Sequence, residues 1–182
     1  MCDTQALVQA AWEDVEAQFK RSEIPNEATL QAALYAALKG QFPEKARVLC
    51  GAAAKLKDGR RRHPDLMVVL DRHVVAAIEV KLAARSGKGR PVFENDVEKL
   101  HELSEGEASL AFEPVWLDEV SSQQLGRFSA DTYCVFACIG RYDAKGVCEA
   151  SVRSKCAPKV PRNFKVLSLV PRTGPWANPS AA

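Results

Sequence analysis

HPDLMVVLDRHVVAAIEVKL, residues 63–82, is the stretch of sequence that decides the fold. It is the most apolar part of the chain, yet it contains Asp65, Glu79 and Lys81. Charged side chains avoid apolar surroundings unless they are paired, bind a metal or take part in chemistry. Whether these three side chains meet in space therefore decides what the stretch can do.

Two β-rich runs, 65–70 and 74–82, predict the strands of a β-hairpin, with the polar residues 71–73 between them. Side chains alternate along a strand, so Glu79 and Lys81 share one face of the second strand. That face also carries Val75 and Ala77, and the opposite, core-facing side carries Val74, Ala76, Ile78 and Val80. A plainer interpretation is that Asp65 only begins its strand and that Glu79 and Lys81 face solvent on an edge strand.

The length of the hairpin loop decides whether the two acids meet. With a three-residue loop, Asp65 lies directly opposite Glu79, and opposed residues have Cβ atoms about 4.5–5.5 Å apart. With a two-residue loop, Asp65 lies opposite Ile78, and the acids are on different faces. Two carboxylates so close need a cation between them, and Mg²⁺ or Mn²⁺ prefers such oxygen ligands. Beside them, Lys81 would orient or help deprotonate a water, or stabilise charge on a phosphate.

The segments around this hairpin predict one α/β domain in which helices flank a small mixed β-sheet. Gly40 is expected to end the second helix. Residues 107–128 have no clear pattern, and a helix around 115–126 is one interpretation. The domain is expected to cover 1–172, and 173–182 to form a loose tail. The patterns predict helices at 4–20, 26–39 and 92–103 and strands at 46–56, 132–140 and 164–170.

Length and composition indicate a globular protein. The chain has 182 residues, of which 47% are hydrophobic and 26% charged, which excludes a disordered chain. No run approaches the roughly 18–20 apolar residues of a membrane span, and the N-terminus lacks the pattern of an export signal. We therefore expect a cytoplasmic protein without a membrane partner. Its six cysteines are expected to be reduced thiols, because the sequence shows no export signal. The spacing of the last four cysteines matches no common zinc site.

The net charge of +2 conceals a strong segregation of charge along the chain. Residues 55–62 hold five basic residues and one acid, and residues 81–90 hold four basic residues and no acid. By contrast, residues 94–107 hold six acids and one lysine. Basic segments on both sides of the hairpin favour a polyanionic partner, although each cluster alone is also compatible with a solvated face.

The "PD" at 64–65, followed fourteen residues after the Asp by "EVK" at 79–81, resembles the PD-(D/E)xK nuclease superfamily, the restriction-endonuclease-like fold. The resemblance implies an α-β-β-β-α-β core, here from about residue 26 to 140. It implies that Asp65, Glu79 and the backbone carbonyl of Val80 bind a catalytic Mg²⁺ or Mn²⁺. It also implies that Lys81 acts on the nucleophilic water.

Members of this superfamily often add an acid from the helix before the sheet, and Glu27 is the natural candidate here. Glu27 and Gln31 lie on the helix face that also carries Leu30, Leu34 and Leu38, so both are expected near the site. The alternative for Glu27 is a purely structural role, since an acid in the first turn after Asn26 as N-cap favours the helix dipole.

Basic residues on either side of the hairpin are candidates for binding a nucleic acid backbone. Lys99 of the next helix either faces the site or forms an ordinary pair with Asp96. The candidates for backbone binding, together with Gln31, are Arg60, Arg61 and Arg62 before the hairpin and Arg85, Lys88 and Arg90 in the glycine-containing loop after it.

These features predict a metal-dependent nuclease that hydrolyses phosphodiester bonds, most readily in DNA. The alternative is a catalytically silent subunit that keeps the fold and serves in nucleic acid binding or assembly. A third possibility is a metal-dependent enzyme with another substrate, or an unrelated α/β domain with a coincidental pattern. Target choice would come from homodimerisation or from a partner subunit, because no separate recognition domain is visible.

Overall fold

The computed structural model describes residues 3–83, 94–105, 108–111, 126–140 and 163–169. Residues 115–125 of the helix considered at 115–126 lie outside these residues, as do the tail at 173–182 and Cys2, Cys148 and Cys156. No helix among the described residues is long and apolar enough to cross a membrane. In chain order the elements are α1 (Thr4–Lys20), α2 (Glu27–Gln41), β1 (Arg47–Cys50), β2 (Ala53–Lys55), β3 (Arg61–Arg62), β4 (Leu66–Leu70), β5 (His73–Ala83), α3 (Glu94–Ser104), β6 (Ser109–Ala111), β7 (Tyr133–Gly140) and β8 (Phe164–Leu169).

The fold is a mixed α/β domain, as predicted. Five strands form the main sheet in the order β1-β4-β5-β7-β8. The first three are antiparallel neighbours, whereas β5, β7 and β8 are parallel. The order of α2, β1, β4, β5, α3 and β7 is the expected α-β-β-β-α-β series. A second, three-stranded sheet, β3-β2-β6, is added to this core.

The two faces of the main sheet carry separate hydrophobic cores. On one face, α1 and α2 pack through buried side chains such as Trp12 and Leu34. On the other face, α3 packs through Val97, Leu100 and Leu103. Cys134 and Cys138 of β7 are free thiols buried in this second core, and burial raises the pKa of the Cys134 thiol to about 12.

Two boundaries differ from those predicted. The second helix continues through Gly40 and ends at Gln41, and the extended backbone of the following Phe42 (ψ 152°) is the conformation favoured before Pro43. The strand predicted at 46–56 is in fact β1 and β2, which belong to different sheets. The chain changes direction at Gly51, where a φ of 58° suits glycine.

The hairpin between β4 and β5 has a two-residue turn, so the predicted three-residue loop was wrong. Asp71 and Arg72 have φ values of 48° and 65°, the positive angles of a tight type I′ turn. Leu70 pairs with His73 beside this turn. We had expected a turn of this length to place Asp65 opposite Ile78.

A β-bulge in β5 cancels that effect. Val69 pairs with Val74, but Val68 pairs with Ala76, so Val75 is an extra residue in β5. From the bulge onward the register is the one predicted for a three-residue loop, and Leu66 pairs with Ile78. Asp65, one residue before Leu66, is therefore aligned with Glu79.

The bulge also corrects the predicted faces of β5. Val74 lies in the α3-side core, together with Ala77 and not with Ala76 as predicted. Val75 packs on the side of α1 and α2, together with Ala76 and Ile78. Two successive side chains, those of Val75 and Ala76, thus point the same way, as expected where an extra residue interrupts the alternation.

Candidate functional site

The site forms where β5 extends beyond the end of its neighbour β4. Since β4 begins at Leu66, which pairs with Ile78, the later residues of β5 have no β4 partner. Carboxylates accept the hydrogen bonds of the peptide groups exposed there. The backbone N–H of Val80 donates to Oδ2 of Asp65 at 2.8 Å, and that of Leu82 donates to Oε2 of Glu27 at 3.1 Å.

Asp65 is held by its own backbone as well. Its carbonyl oxygen accepts a hydrogen bond of 3.0 Å from Nε2 of Gln31 and another of 3.0 Å from the N–H of Gly51. Gln31 therefore lies beside the site, as its position on α2 predicted. Its amide contacts the aspartate backbone, which fixes the start of β4 against α2 and the end of β1.

Glu79 is a buried carboxylate with 2% of its surface exposed. Burial raises its pKa to about 8, with a smaller contribution from the Asp65 and Asp96 carboxylates, while the hydrogen bond from Lys99 opposes the shift. The Lys99 Nζ atom lies 2.5 Å from Oε1 of Glu79. The interpretation of Glu79 as a solvent-facing residue of an edge strand is therefore wrong, because β5 is the central strand of the main sheet.

Lys81 lies between two carboxylates from different helices. Its Nζ atom is 3.4 Å from Oδ2 of Asp96 and 3.7 Å from Oε1 of Glu27. Partial burial lowers the pKa of Lys81, but the carboxylates of Asp96, Glu27 and Asp65 outweigh burial and raise it overall. Lys81 is therefore an ammonium at neutral pH, which favours donating hydrogen bonds over accepting a proton.

Asp96 is the site residue that the sequence reasoning missed. It contacts Lys81 and also lies 3.8 Å from Nζ of Lys99, one turn later on α3. The available signal was helical spacing, because 96, 99, 100 and 103 fall on one face and Leu100 and Leu103 are buried. Lys99 both faces the site and pairs with Asp96, so the two interpretations considered for it hold together.

The charges of the site do not cancel. Four carboxylates, those of Asp65, Glu79, Glu27 and Asp96, surround the ammonium groups of Lys81 and Lys99. With all six groups ionised, four negative charges against two positive charges leave two negative charges, which one divalent cation would balance. A cation at Glu79 would favour the ionised form of this carboxyl, which burial disfavours. Carboxylate oxygens are also the ligands that Mg²⁺ and Mn²⁺ prefer.

The described residues contain no cluster of three or more His, Cys, Asp or Glu side chains arranged to hold a metal ion. Mg²⁺ sites commonly use one or two carboxylates and complete their shell with waters. No described residue donates a hydrogen bond to Oδ1 of Asp65 or to Oε2 of Glu79. The donor set therefore suits a hard divalent cation.

Two of the predicted nucleic-acid-binding arginines are engaged with acids of the protein. Arg60 contacts Oδ2 of Asp58 at 2.6 Å and Oε1 of Glu102 at 2.7 Å. Arg62 makes two hydrogen bonds to the same Glu102 carboxylate. This network ties β3 to α3. Arg61 is exposed between them, and Arg85, Lys88 and Arg90 lie outside the described residues.

Comparison with known proteins assigns no family to the chain. No protein-family model matches it, and neither a curated protein nor a solved structure does. The resemblance to PD-(D/E)xK nucleases stays an expectation from the sequence, and the geometry described above is a separate observation.

Proposed function

We propose that this protein is a divalent-metal-dependent nuclease that hydrolyses phosphodiester bonds in DNA. One observation carries the proposal: Asp65, which precedes β4, lies beside Glu79 and Lys81 of β5 where β5 extends past β4. A buried acid, a second acid in the aligned position and an adjacent ammonium form a constellation suited to this chemistry. The basic segments around the site would add affinity for a polyanion.

Asp65 and Glu79 would hold the metal, with the backbone carbonyl of Val80 as a third ligand. This carbonyl points to the same edge of β5 as the N–H that Asp65 accepts, since both backbone groups of a paired strand residue face one neighbour. A divalent cation bound there would lower the pKa of a coordinated water and polarise a phosphate oxygen.

The remaining side chains of the site would position the reacting groups and stabilise negative charge. Lys81 donates from its ammonium group, which can orient the attacking water or stabilise charge on the scissile phosphate. Glu27 and Asp96 hold Lys81 from two helices, so its Nζ atom is fixed beside the acids. Gln31 fixes the backbone of Asp65. The burial of Glu79 keeps bulk water away from one side of the site.

The contact between Lys99 and Glu79 favours a second candidate function. An ammonium already compensates the buried acid, so Glu79 would need no metal ion, and the same fold could bind nucleic acid through its basic residues without catalysis. This is the silent-subunit alternative. It differs from the nuclease proposal in predicting that nucleic acid binds equally well with and without a divalent cation.

The deciding experiment is a cleavage assay on linear, circular and single-stranded DNA and on RNA, with Mg²⁺, Mn²⁺ or EDTA. Asp65→Asn and Lys81→Met are each expected to lower the cleavage rate more than about a hundredfold, since even outer partners of metal ligands are worth roughly 10–100-fold. Lys45→Met is the matched control for Lys81→Met, because Lys45 pairs with Asp71 at the far end of the hairpin. Cleavage that survives Asp65→Asn would refute the proposed site.

A further inference from the structure

Lys99 makes the tightest side-chain contact of the candidate site. Its Nζ atom lies 2.5 Å from Oε1 of Glu79 and donates a second hydrogen bond of 3.2 Å to the carbonyl of His63. The side chain of Glu79 is only 3% exposed, and that of Lys99 is 22% exposed. One ammonium thus connects α3, β5 and the residues that lead into β4.

This contact conflicts with a metal ion at the same carboxylate. A divalent cation bound by Glu79 would stand within a few ångströms of the Lys99 ammonium, and like charges repel strongly where water is excluded. Lys99 has other acceptors within reach, because Oδ1 of Asp96 is 3.8 Å away and the His63 carbonyl already accepts from it. It can therefore leave Glu79 without leaving the site.

We propose that Lys99 and the divalent cation bind Glu79 in alternation, so that Lys99 is the counter-ion of Glu79 in the metal-free protein and moves to Asp96 when the cation binds. The inference rests on the proposed function. In the metal-bound protein, Lys99 and Lys81 then stand on either side of Asp96. Two adjacent ammonium groups suit the phosphate of a phosphodiester substrate, and Lys99 becomes a positioning residue for it.

The experiment measures the reactivity of the Lys99 amine in the full chain without nucleic acid. A limiting amount of an amine-acylating reagent is added with EDTA or with Mg²⁺, and peptide mapping by mass spectrometry gives the rate at each lysine. Calorimetry on the same samples records whether Mg²⁺ binds. We expect Mg²⁺ to raise the acylation rate of Lys99 by roughly tenfold, because Lys99 exchanges its 2.5 Å hydrogen bond to the nearly buried Glu79 for a contact with Asp96, whose side chain is 19% exposed. Lys45, which pairs with Asp71, is the internal control and should not respond.

The Glu79→Gln variant should show the highest acylation rate of Lys99, because the substitution removes the charged partner of Lys99 while keeping the shape of the side chain. In this variant Lys99 should react fast whether or not Mg²⁺ is present. If Mg²⁺ binds the wild-type protein but Lys99 reacts no faster, the alternation is refuted and the proposed nuclease function stands. If calorimetry detects no binding of Mg²⁺ or Mn²⁺, both the proposed function and the alternation are refuted.

Discussion

At the scale of single residues, the main feature is an acid in a place where acids are rare. Glu79 is as buried as the apolar side chains of the sheet, and among the described residues only Lys99 is hydrogen-bonded to its side chain. Burying a charged group costs folding free energy even when the group is paired. The metal-binding role proposed for Glu79 would account for an acid in this position.

The free-energy cost of burying the Glu79 carboxyl should depend on pH. Its folded-state pKa of about 8 lies above the ordinary 4.5, so between these values the folded protein binds a proton that the unfolded chain has released. The free energy of unfolding therefore falls as pH rises through this window and levels off above pH 8. Glu79→Gln, which cannot ionise, escapes this loss.

We expect Glu79→Gln to be increasingly stable relative to wild type from pH 5 to pH 9, by on the order of a few kcal/mol, since one pKa unit corresponds to about 1.4 kcal/mol. Urea denaturation in EDTA at both pH values measures the difference. A difference that stays constant with pH would show that the carboxyl does not titrate as described.

At the scale of elements, local patterns predicted most helices and strands. The bounds of α1 agree with the prediction, because its apolar residues recur every turn and Asp3 caps its first turn through the N–H groups of Gln5 and Ala6. The break between β1 and β2 was missed, because a single Gly51 in an apolar run does not reveal that the chain changes sheets. Such a change is decided by tertiary packing.

Within the site, sequence predicted the residues of the hairpin and of α2 but not Asp96. The pairing of Asp65 with Glu79 was right although the turn length was wrong, because the bulge at Val75 compensates. No local pattern marks a bulge in an apolar strand. Asp96 contacts Lys81 because of the way in which α3 crosses the sheet. A contact between two segments that are separate in the sequence leaves no periodic pattern, apart from the position of Asp96 on one face of the helix.

Substitution of two glycines, one in a loop and one in α2, by alanine should change the free energy of unfolding in opposite directions. At Gly126, φ is 142° and an added Cβ would lie 2.8 Å from Cδ1 of Leu110, so Gly126→Ala should destabilise the fold by about 1–3 kcal/mol. At Gly40, inside α2, an added Cβ meets nothing within 4 Å, so Gly40→Ala should stabilise it by about 0.5–1 kcal/mol. Urea denaturation of both variants tests the pair, and equal effects would contradict it.

At the scale of the whole molecule, charge is distributed by element. The acidic helix α3 supplies Asp96 to the site and Glu102 to the arginines of the second sheet. The same helix therefore neutralises basic groups that would otherwise be available to a polyanion. If the proposed function holds, its charge limits how much of the basic surface is available to nucleic acid.

If the proposed function holds, Glu102→Gln should strengthen DNA binding, because it removes the charged partner of Arg62 and one of the two charged partners of Arg60. We expect roughly a tenfold gain in affinity at low salt and a steeper dependence on salt, as for added phosphate contacts. Filter binding or fluorescence anisotropy over a salt series measures both quantities. Glu13→Gln on α1 removes the same charge from an exposed position away from these arginines and is the matched control. An equal gain in both variants would mean that overall charge, and not the release of the arginines, is responsible.

The turn and the bulge of the central hairpin together have a consequence for insertions and deletions. The register of two paired strands decides which face each side chain points to, because a shift of one residue moves every later side chain to the opposite face. The two-residue turn at Asp71 and Arg72 shifts the register by one residue relative to a three-residue turn, and the extra residue Val75 shifts it back. Val75 is the exception, because no β4 residue pairs with it, and deleting it alone should leave Asp65 aligned with Glu79. The acids would separate only if Val75 were kept and paired with Val68, since this register places Asp65 opposite Ile78. The strand β5 can therefore lose one residue between its turn and Glu79 without separating the two acids.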